Sequence, residues 1–250
     1  MRDDDPDAAA RFGEAGHPVG DAPVYTVNAR VAARLSTLET PAAVTAVFPL
    51  PAVPALGELR SAVLPHRQRV APVIVYADHL GDPGNMGTLM RAAAAFAAAA
   101  LIGSPGSVDL FSPKVVRAGM GAVFALPLAH GLTLQRVVAE LAPGAVVGLV
   151  AHGGRPPAEV AARLASAATG PAGPIVLAVG AERAGLSDDA LAAVTDLSTI
   201  PLAGAAGHAV ESLNAGVAGA IVLYEFSRRL AGAARGEDGA GPSGPAPQKE

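Results

Sequence analysis

From residue 72 onward, short continuous apolar runs alternate with longer segments carrying scattered polar positions. The apolar runs read as strands at 73–77, 99–103, 123–128, 145–151, 175–179 and 197–201, and the longer segments as helices at 85–97, 113–119, 131–141, 156–168, 188–194 and 212–230. The strands lack period-2 alternation, as expected of strands covered on both faces of a parallel sheet. Alternating strands and helices predict an α/β class with a mainly parallel sheet. Ligands of such sheets bind beyond the C-terminal strand ends, so the loops after the strands are where chemistry is sought.

The remainder of the chain is less regular. Residues 1–20 are acidic and polar, and residues 232–250 are Gly/Ala/Pro-rich; both are expected to be disordered. Residues 21–49 read as a strand (24–28), a helix (29–38) and a second strand (43–49), a fragment too small to hold a core of its own. Residues 50–70 read as a linker with four prolines and a basic end at Arg60, His66, Arg67 and Arg69, and residues 71–231 as the main domain.

Composition changes this picture in two ways. Cys is absent from the 250 residues, which removes disulfides and thiolate metal sites. No apolar stretch is long enough to span a bilayer, and no basic segment precedes an apolar run at the acidic N-terminus, so a cytoplasmic protein is expected. The formal charge of −4 argues weakly against nucleic acid. Residues 20–235, however, hold 14 acidic and 15 basic side chains, all but one of the bases being Arg. A near-neutral, Arg-rich body leaves an RNA partner open.

Three strand-end loops carry candidate chemistry. In the first, Asp78 to Gly87 forms a tight Gly/Pro turn in which Asp82 or Asn85 can cap a helix bearing Arg91. Arg91 has Gly87 and Ala95 at its i±4 positions, so no acid pairs with it along the helix. The second, Val179 to Ser187, sets Glu182 between Gly180 and Gly185, with Ser187 as a cap. The third, residues 198–227, passes through a Gly/Ala-rich loop to Glu211-Ser212-Leu213-Asn214, where Ser212 is the expected N-cap of the last helix. Small residues at Ala215, Gly216, Gly219 and Ala220 predict a close approach by a helix, a second subunit or a ligand. A fourth strand-end loop holds Val150, Ala151 and His152. No His pair has metal-ligand spacing, no carboxylate cluster suggests Mg²⁺ or Zn²⁺, and no G-x-G-x-x-G follows a strand, so neither a metal nor a dinucleotide is expected.

Taken in order, these loops resemble the signature motifs of the SpoU (TrmH-like) RNA ribose 2′-O-methyltransferases of the SPOUT superfamily. The first looks like D-x-x-x-D-P-x-N-x-G-x-x-x-R (Asp78 to Arg91, with Phe96 beyond), the second like G-x-E-x-x-G-L-S (180–187). The third looks like I-P-x-x-G…E-S-L-N…L-Y-E (200–225), and residues 112–122 resemble the family's K-x-x-R-A-S-x-G-A segment. The resemblance implies a C-terminal deep trefoil knot, a homodimer, and S-adenosyl-L-methionine as cofactor. It also implies transfer of a methyl group to a ribose 2′-hydroxyl of rRNA, or else of tRNA. By motif position it implies catalytic roles for Arg91 (acting across the dimer), Asn85, Glu182, Ser212 and Asn214. Cofactor contacts are implied at Val150, Ala151, Gly180, Ile200, Leu202 and Leu213. Arg60, Arg67, Arg69 and Arg117 are the expected RNA-binding residues, and no metal is expected. Residues 21–49, with Ser36-Thr37-Leu38-Glu39-Thr40-Pro41, resemble the last part of an L30e-like RNA-recognition domain whose front half is missing.

The chain departs from the family pattern at Gly119, Ala97 and Ala215-Gly216, and by about four extra residues within 205–210, including His208. That insertion borders the expected cofactor pocket. A catalytically weak RNA-binding homologue is therefore the alternative, and a nucleotide-dependent oxidoreductase the remote one.

Overall fold

A computed structural model describes residues 23–36, 38, 40–42, 44–47, 49–54, 56–63, 71–166, 173–203 and 212–235. Two compact units are distinguished, Met1–Pro51 and Ala52–Glu250. In the first, α1 (Ala29–Leu35) is capped by Asn28, whose side chain accepts from Val31 N at 3.0 Å. Among the described residues of the expected strands at 24–28 and 43–49 there is no strand, and only Val27 makes a single bridge. The expected disordered segment 1–20, and residues 236–250 of the expected tail, lie outside the described residues.

The second unit begins with α2 (Leu56–Val63), inside the stretch read as a linker. Its Leu59 is fully buried. Then follow β1 (Val73–Asp78), α3 (Pro83–Ala95), β2 (Ala100–Gly103), α4 (Pro113–Ala118), β3 (Leu128–His130), α5 (Leu134–Leu141) and β4 (Ala145–Leu149). The chain continues with α6 (Pro157–Ser166), β5 (Ile175–Gly180), α7 (Asp188–Ala193), β6 (Asp196–Ser198) and α8 (Ala215–Arg235). All strands pair in parallel in the order β3-β2-β1-β5-β4-β6.

Both sheet faces are covered, which is why the strands read as unbroken apolar runs. Along β1 and β5, Val73, Val75, Ala77, Ile175, Leu177 and Val179 face one core, shared with α3 and α8. Ile74, Tyr76, Val176 and Ala178 face the other, shared with Leu59 of α2 and with α5. The apolar run at 123–128 is not a strand. Met120 (φ 48°) and Gly121 (φ 88°) turn the chain through left-handed conformations into a single 3₁₀ turn, Ala122–Phe124, that buries Val123 against the first core. Strand pairing begins only at Leu128. Periodicity cannot separate a short buried turn from a short buried strand.

The small-residue face of α8 packs on α3. A Cβ at Gly219 would lie 2.5 Å from Leu89 Cδ1, and one at Gly216 would lie 2.9 Å from the Asn85 carbonyl oxygen. Of the three approaches the sequence left open, the neighbour is a helix of the same chain. α8 also starts later than expected: its N-cap is Asn214, whose Oδ1 accepts from Val217 N at 3.1 Å, and Ser212 lies outside the helix. Residue 214 is the one followed directly by the first helical turn, so its side chain, not that of 212, reaches the third amide beyond it.

Candidate functional site

Four strand-end loops meet at the C-terminal edge of the sheet, where β1 and β5 pair with Asp78 opposite Gly180. This is the position at which the chain, having run from β1 to β3 on one side, resumes on the other, a switch point of the kind that opens a crevice. Asp78, 2% exposed, ties two loops together: Oδ2 accepts from Ser187 N at 2.7 Å and Oδ1 faces His79 Nδ1 at 2.9 Å. Burial and the Asp78 charge push the neighbouring Tyr76 phenol up to about 12, and its hydroxyl donates to the Leu132 carbonyl at 3.0 Å.

Asp82 caps α3, accepting from Asn85 N at 2.7 Å, with Pro83 at the first helical position. The cap fixes Asn85, 8% exposed, in the first turn with its amide directed at the two other motif loops. In the loop after β5, Ala181 and Gly185 exchange backbone hydrogen bonds of 3.0 and 2.9 Å, and Gly185 takes φ 71°. The turn folds so tightly over the strand end that a Cβ at Gly180 would sit 2.2 Å from the Gly185 backbone. Glu182 projects from this turn.

The three loops join through side chains. Asn214 Nδ2 donates to Asn85 Oδ1 at 2.5 Å, and Asn85 Nδ2 donates to Glu182 Oε1. The direction of the chain is determined at both ends. Asn214 Oδ1 is already used by Val217 N, and a carboxylate can only accept. Each amide therefore has one orientation.

Beside this chain of bonds lies a cavity of about 530 Å³. Val150, Ala151, Gly180, Ile200, Leu202 and Leu213 all line it, as do Glu182 and Ser212. Asn85 and Asn214 do not line it; they meet it through Glu182. Arg91 is exposed on α3, lines no part of the cavity, and its side chain makes no hydrogen bond or ion pair among the described residues. Arg60 donates to the Glu140 carbonyl at 3.4 Å, at the end of α5 that leads into the start of β4. It thus sits toward the opposite edge of the sheet. Arg117 is exposed on α4, while Arg67, Arg69, Glu211 and the 205–210 insertion lie outside the described residues.

The sequence reading missed Leu149, Val179, Leu186 and Leu191, which form much of the apolar wall. Leu191 carried a usable signal: a large apolar side chain in the otherwise acidic and Ala-rich Asp188–Ala193 segment, 40% exposed because it faces a cavity instead of the core. The cavity offers apolar and backbone surface on several sides, with Glu182, Arg183 and His152 as its charged or polar side chains besides Ser212, a lining that suits a mid-sized organic ligand carrying both polar and apolar parts. Among the described residues, no helix is long and apolar enough to cross a membrane.

A family model described as the SpoU rRNA Methylase family matches residues 72–224. The chain is 41% identical over 76 residues to the mitochondrial rRNA methyltransferase 3 of Homo sapiens, a match covering 30% of this chain and 18% of that one. It spans about half the length, or less, of the curated relatives it matches. Among solved structures it is similar to the AdoMet-bound rRNA methyltransferase from Sinorhizobium meliloti, with 30% identity, a TM-score of 0.63, and 84% of this chain and 73% of that one covered. It is also similar to the SpoU methyltransferase AviRb from Streptomyces viridochromogenes in complex with AdoMet, with 26% identity, a TM-score of 0.65, and coverages of 84% and 76%.

Proposed function

The chain belongs to the SpoU rRNA methylase family, and we propose that it is an S-adenosylmethionine-dependent methyltransferase that modifies a ribose 2′-hydroxyl of RNA, rRNA rather than tRNA. The observation that carries this reading is the convergence of three motif loops on one cavity, with Glu182 shared between the cavity wall and the Asn85–Asn214 hydrogen bonds.

The residues present fit the cofactor. Val150, Ile200, Leu202 and Leu213 supply apolar walls, and Glu182 and Arg183 offer charges of both signs to a ligand that carries cationic groups and a carboxylate. When bound, S-adenosylmethionine supplies an electrophilic methyl group on a sulfonium sulfur. A ribose hydroxyl is a poor nucleophile at neutral pH, so this chain must align it and stabilise the developing alkoxide. Arg91 is the cation assigned to that oxygen; a guanidinium stays charged at neutral pH, so it orients and stabilises and does not act as a bulk base. Asn85 and Asn214 hold Glu182 in place, and Ser212 stands at the cavity rim.

Because Arg91 does not line its own cavity, the reading places it in the site of a second copy. The support is an exposed apolar row on α8, Val217, Ile221 and Tyr224 at helical spacing, beside α3. Tyr224 meets Phe96 edge-on at 5.8 Å just past the end of that helix. The placement of β5 between β1 and β4, with α8 returning onto α3 and α6, supports a deep trefoil knot. We assign residues 21–49 to a partial L30e-like domain and the protein to the cytoplasm.

The test is transfer of labelled methyl from S-adenosylmethionine to total RNA, followed by nuclease digestion and identification of the methylated nucleoside. The expected product is a 2′-O-methylnucleoside. Arg91→Ala should lose roughly 100-fold or more in kcat, as for an oxyanion donor, with cofactor affinity unchanged. A base-methylated product, or full activity of the variant, would refute the assignment.

A further inference from the structure

Two histidines on the same edge of the sheet lie outside the cavity. The loop after β2, Gly103-Ser104-Pro105-Gly106-Ser107, runs between them. A Cβ at Gly106 would come within 2.2 Å of His79 Cδ2, and one at Gly103 within 2.9 Å of His130 Cδ2. Each imidazole is held through one nitrogen. His79 Nδ1 lies 2.9 Å from Asp78 Oδ1, and His130 Nε2 lies 3.2 Å from the Ser107 carbonyl oxygen. Both partners only accept, so the inward nitrogen of each ring carries the hydrogen. The outward nitrogens, Nε2 of His79 and Nδ1 of His130, make no other hydrogen bond among the described residues.

His79 is held in this pose against its backbone preference. Its φ is 53°, and its amide donates to Ser104 Oγ at 2.8 Å, while Leu80 N donates to Ser107 Oγ at 3.1 Å. A left-handed non-glycine residue whose side chain is 56% exposed makes little packing contribution for its strain. The same Asp78 that fixes the ring also holds Ser187 N, at the end of the Glu182 turn, and pairs across the sheet with Gly180 of the cavity wall.

We infer that His79 and His130 grip the sugar–phosphate backbone of the RNA substrate next to the nucleotide being modified; this rests on the methyltransferase reading above. A ring with its hydrogen fixed inward accepts from a ribose 2′-hydroxyl when neutral and donates to a phosphate when charged, and an RNA backbone presents both groups. The pair fixes register without reading a base, so both residues are positioning residues.

The experiment measures kcat and KM for rRNA isolated from a strain lacking this gene, with the cofactor Kd in parallel, for the wild type, His79→Gly, His130→Gln and the double variant. Glycine accepts φ 53° without strain, and glutamine can keep the bond to the Ser107 carbonyl, so both variants keep the backbone geometry of the loop. We expect KM for RNA to rise about tenfold in the double variant, with kcat and cofactor Kd within about twofold of the wild type. An unchanged KM in an active double variant overturns this inference alone. A wild type that transfers no methyl to RNA overturns both this inference and the reading beneath it.

Discussion

Asn85→Asp is the substitution that probes the site most directly, because it changes one atom in a hydrogen-bond chain whose direction is fixed. The Asn85 amide donates to Glu182 and accepts from Asn214. An aspartate keeps the second bond and turns the first into a contact of two carboxylates. At about 3 Å, their repulsion is about 1.4 kcal/mol at the dielectric of water and about 5.5 kcal/mol at an effective value of 20. Glu182 is exposed, which favours the lower part of that range, about 1.4–3 kcal/mol. Residue 85 is also the third residue of α3, where a negative charge gains about 0.3–1 kcal/mol from the helix dipole. The net cost is about 1–2 kcal/mol, or about 2–8 °C in melting temperature for a domain of this size.

The sign with pH follows from linkage. The pair shares a proton, so its folded pKa rises above the ordinary carboxylate values near 4. The variant therefore matches the wild type near pH 4.5 and loses stability as the pH rises through the raised value. Paired thermal melts from pH 4.5 to 7.5 measure the widening gap. Adding Glu182→Gln to the variant supplies an amide donor to the introduced carboxylate and should close the gap. A gap that is equal at both ends of the pH range, or that survives the second substitution, would refute the bonding pattern.

Two further outcomes concern stability alone. Gly219→Ala should lower the melting temperature by about 2–8 °C, because its Cβ would meet Leu89 Cδ1 at 2.5 Å and overpacking outweighs the gain in helix propensity by about 1–2 kcal/mol. Gly232→Ala in the same helix has nothing within 4 Å and should raise it; equal effects in thermal melts would mean that α8 does not pack on α3 as described. Tyr76, with its phenol raised to about 12 by burial and Asp78, stabilises the fold fully below pH 10 and loses that contribution as the pH rises through about 12. Tyr76→Phe should cost about 1 kcal/mol at neutral pH and remove that alkaline slope, which denaturant titrations at pH 9 and above would detect.

The sheet was legible because unbroken runs such as Val73–Ala77 and Ile175–Val179 have one explanation in an α/β chain: burial on both faces. Where the environment was mixed, the pattern failed. Residues 123–128 are apolar because a 3₁₀ turn is buried, and the prolines around 50–70 hid a helix whose Leu59 completes the second core. All six cofactor candidates came from motif position, and the structure gathers them on one cavity. The bonds from Asn214 to Asn85 to Glu182 could not be read in advance, since they join residues 129 and 97 positions apart.

Those bonds also give the small residues of α8 a reason beyond packing. Asn214 caps α8, so the reach of its amide is set by how closely the first turn of α8 approaches the first turn of α3. Gly216 sits in that turn, where a Cβ would lie 2.9 Å from the Asn85 carbonyl oxygen and 3.0 Å from Thr88 Cβ. Any side chain there separates the two helix starts, and a hydrogen bond of 2.5 Å between Asn214 and Asn85 tolerates little separation before it breaks. Once it breaks, the Asn85 amide loses the donor that holds its oxygen away from Glu182. The Gly and Ala positions of residues 215–220, which in the sequence predict a close approach, are thus a geometric condition for the polar contact that reaches the cavity. The helix propensity given up at 216 is what allows the Glu182 carboxylate to be held in place.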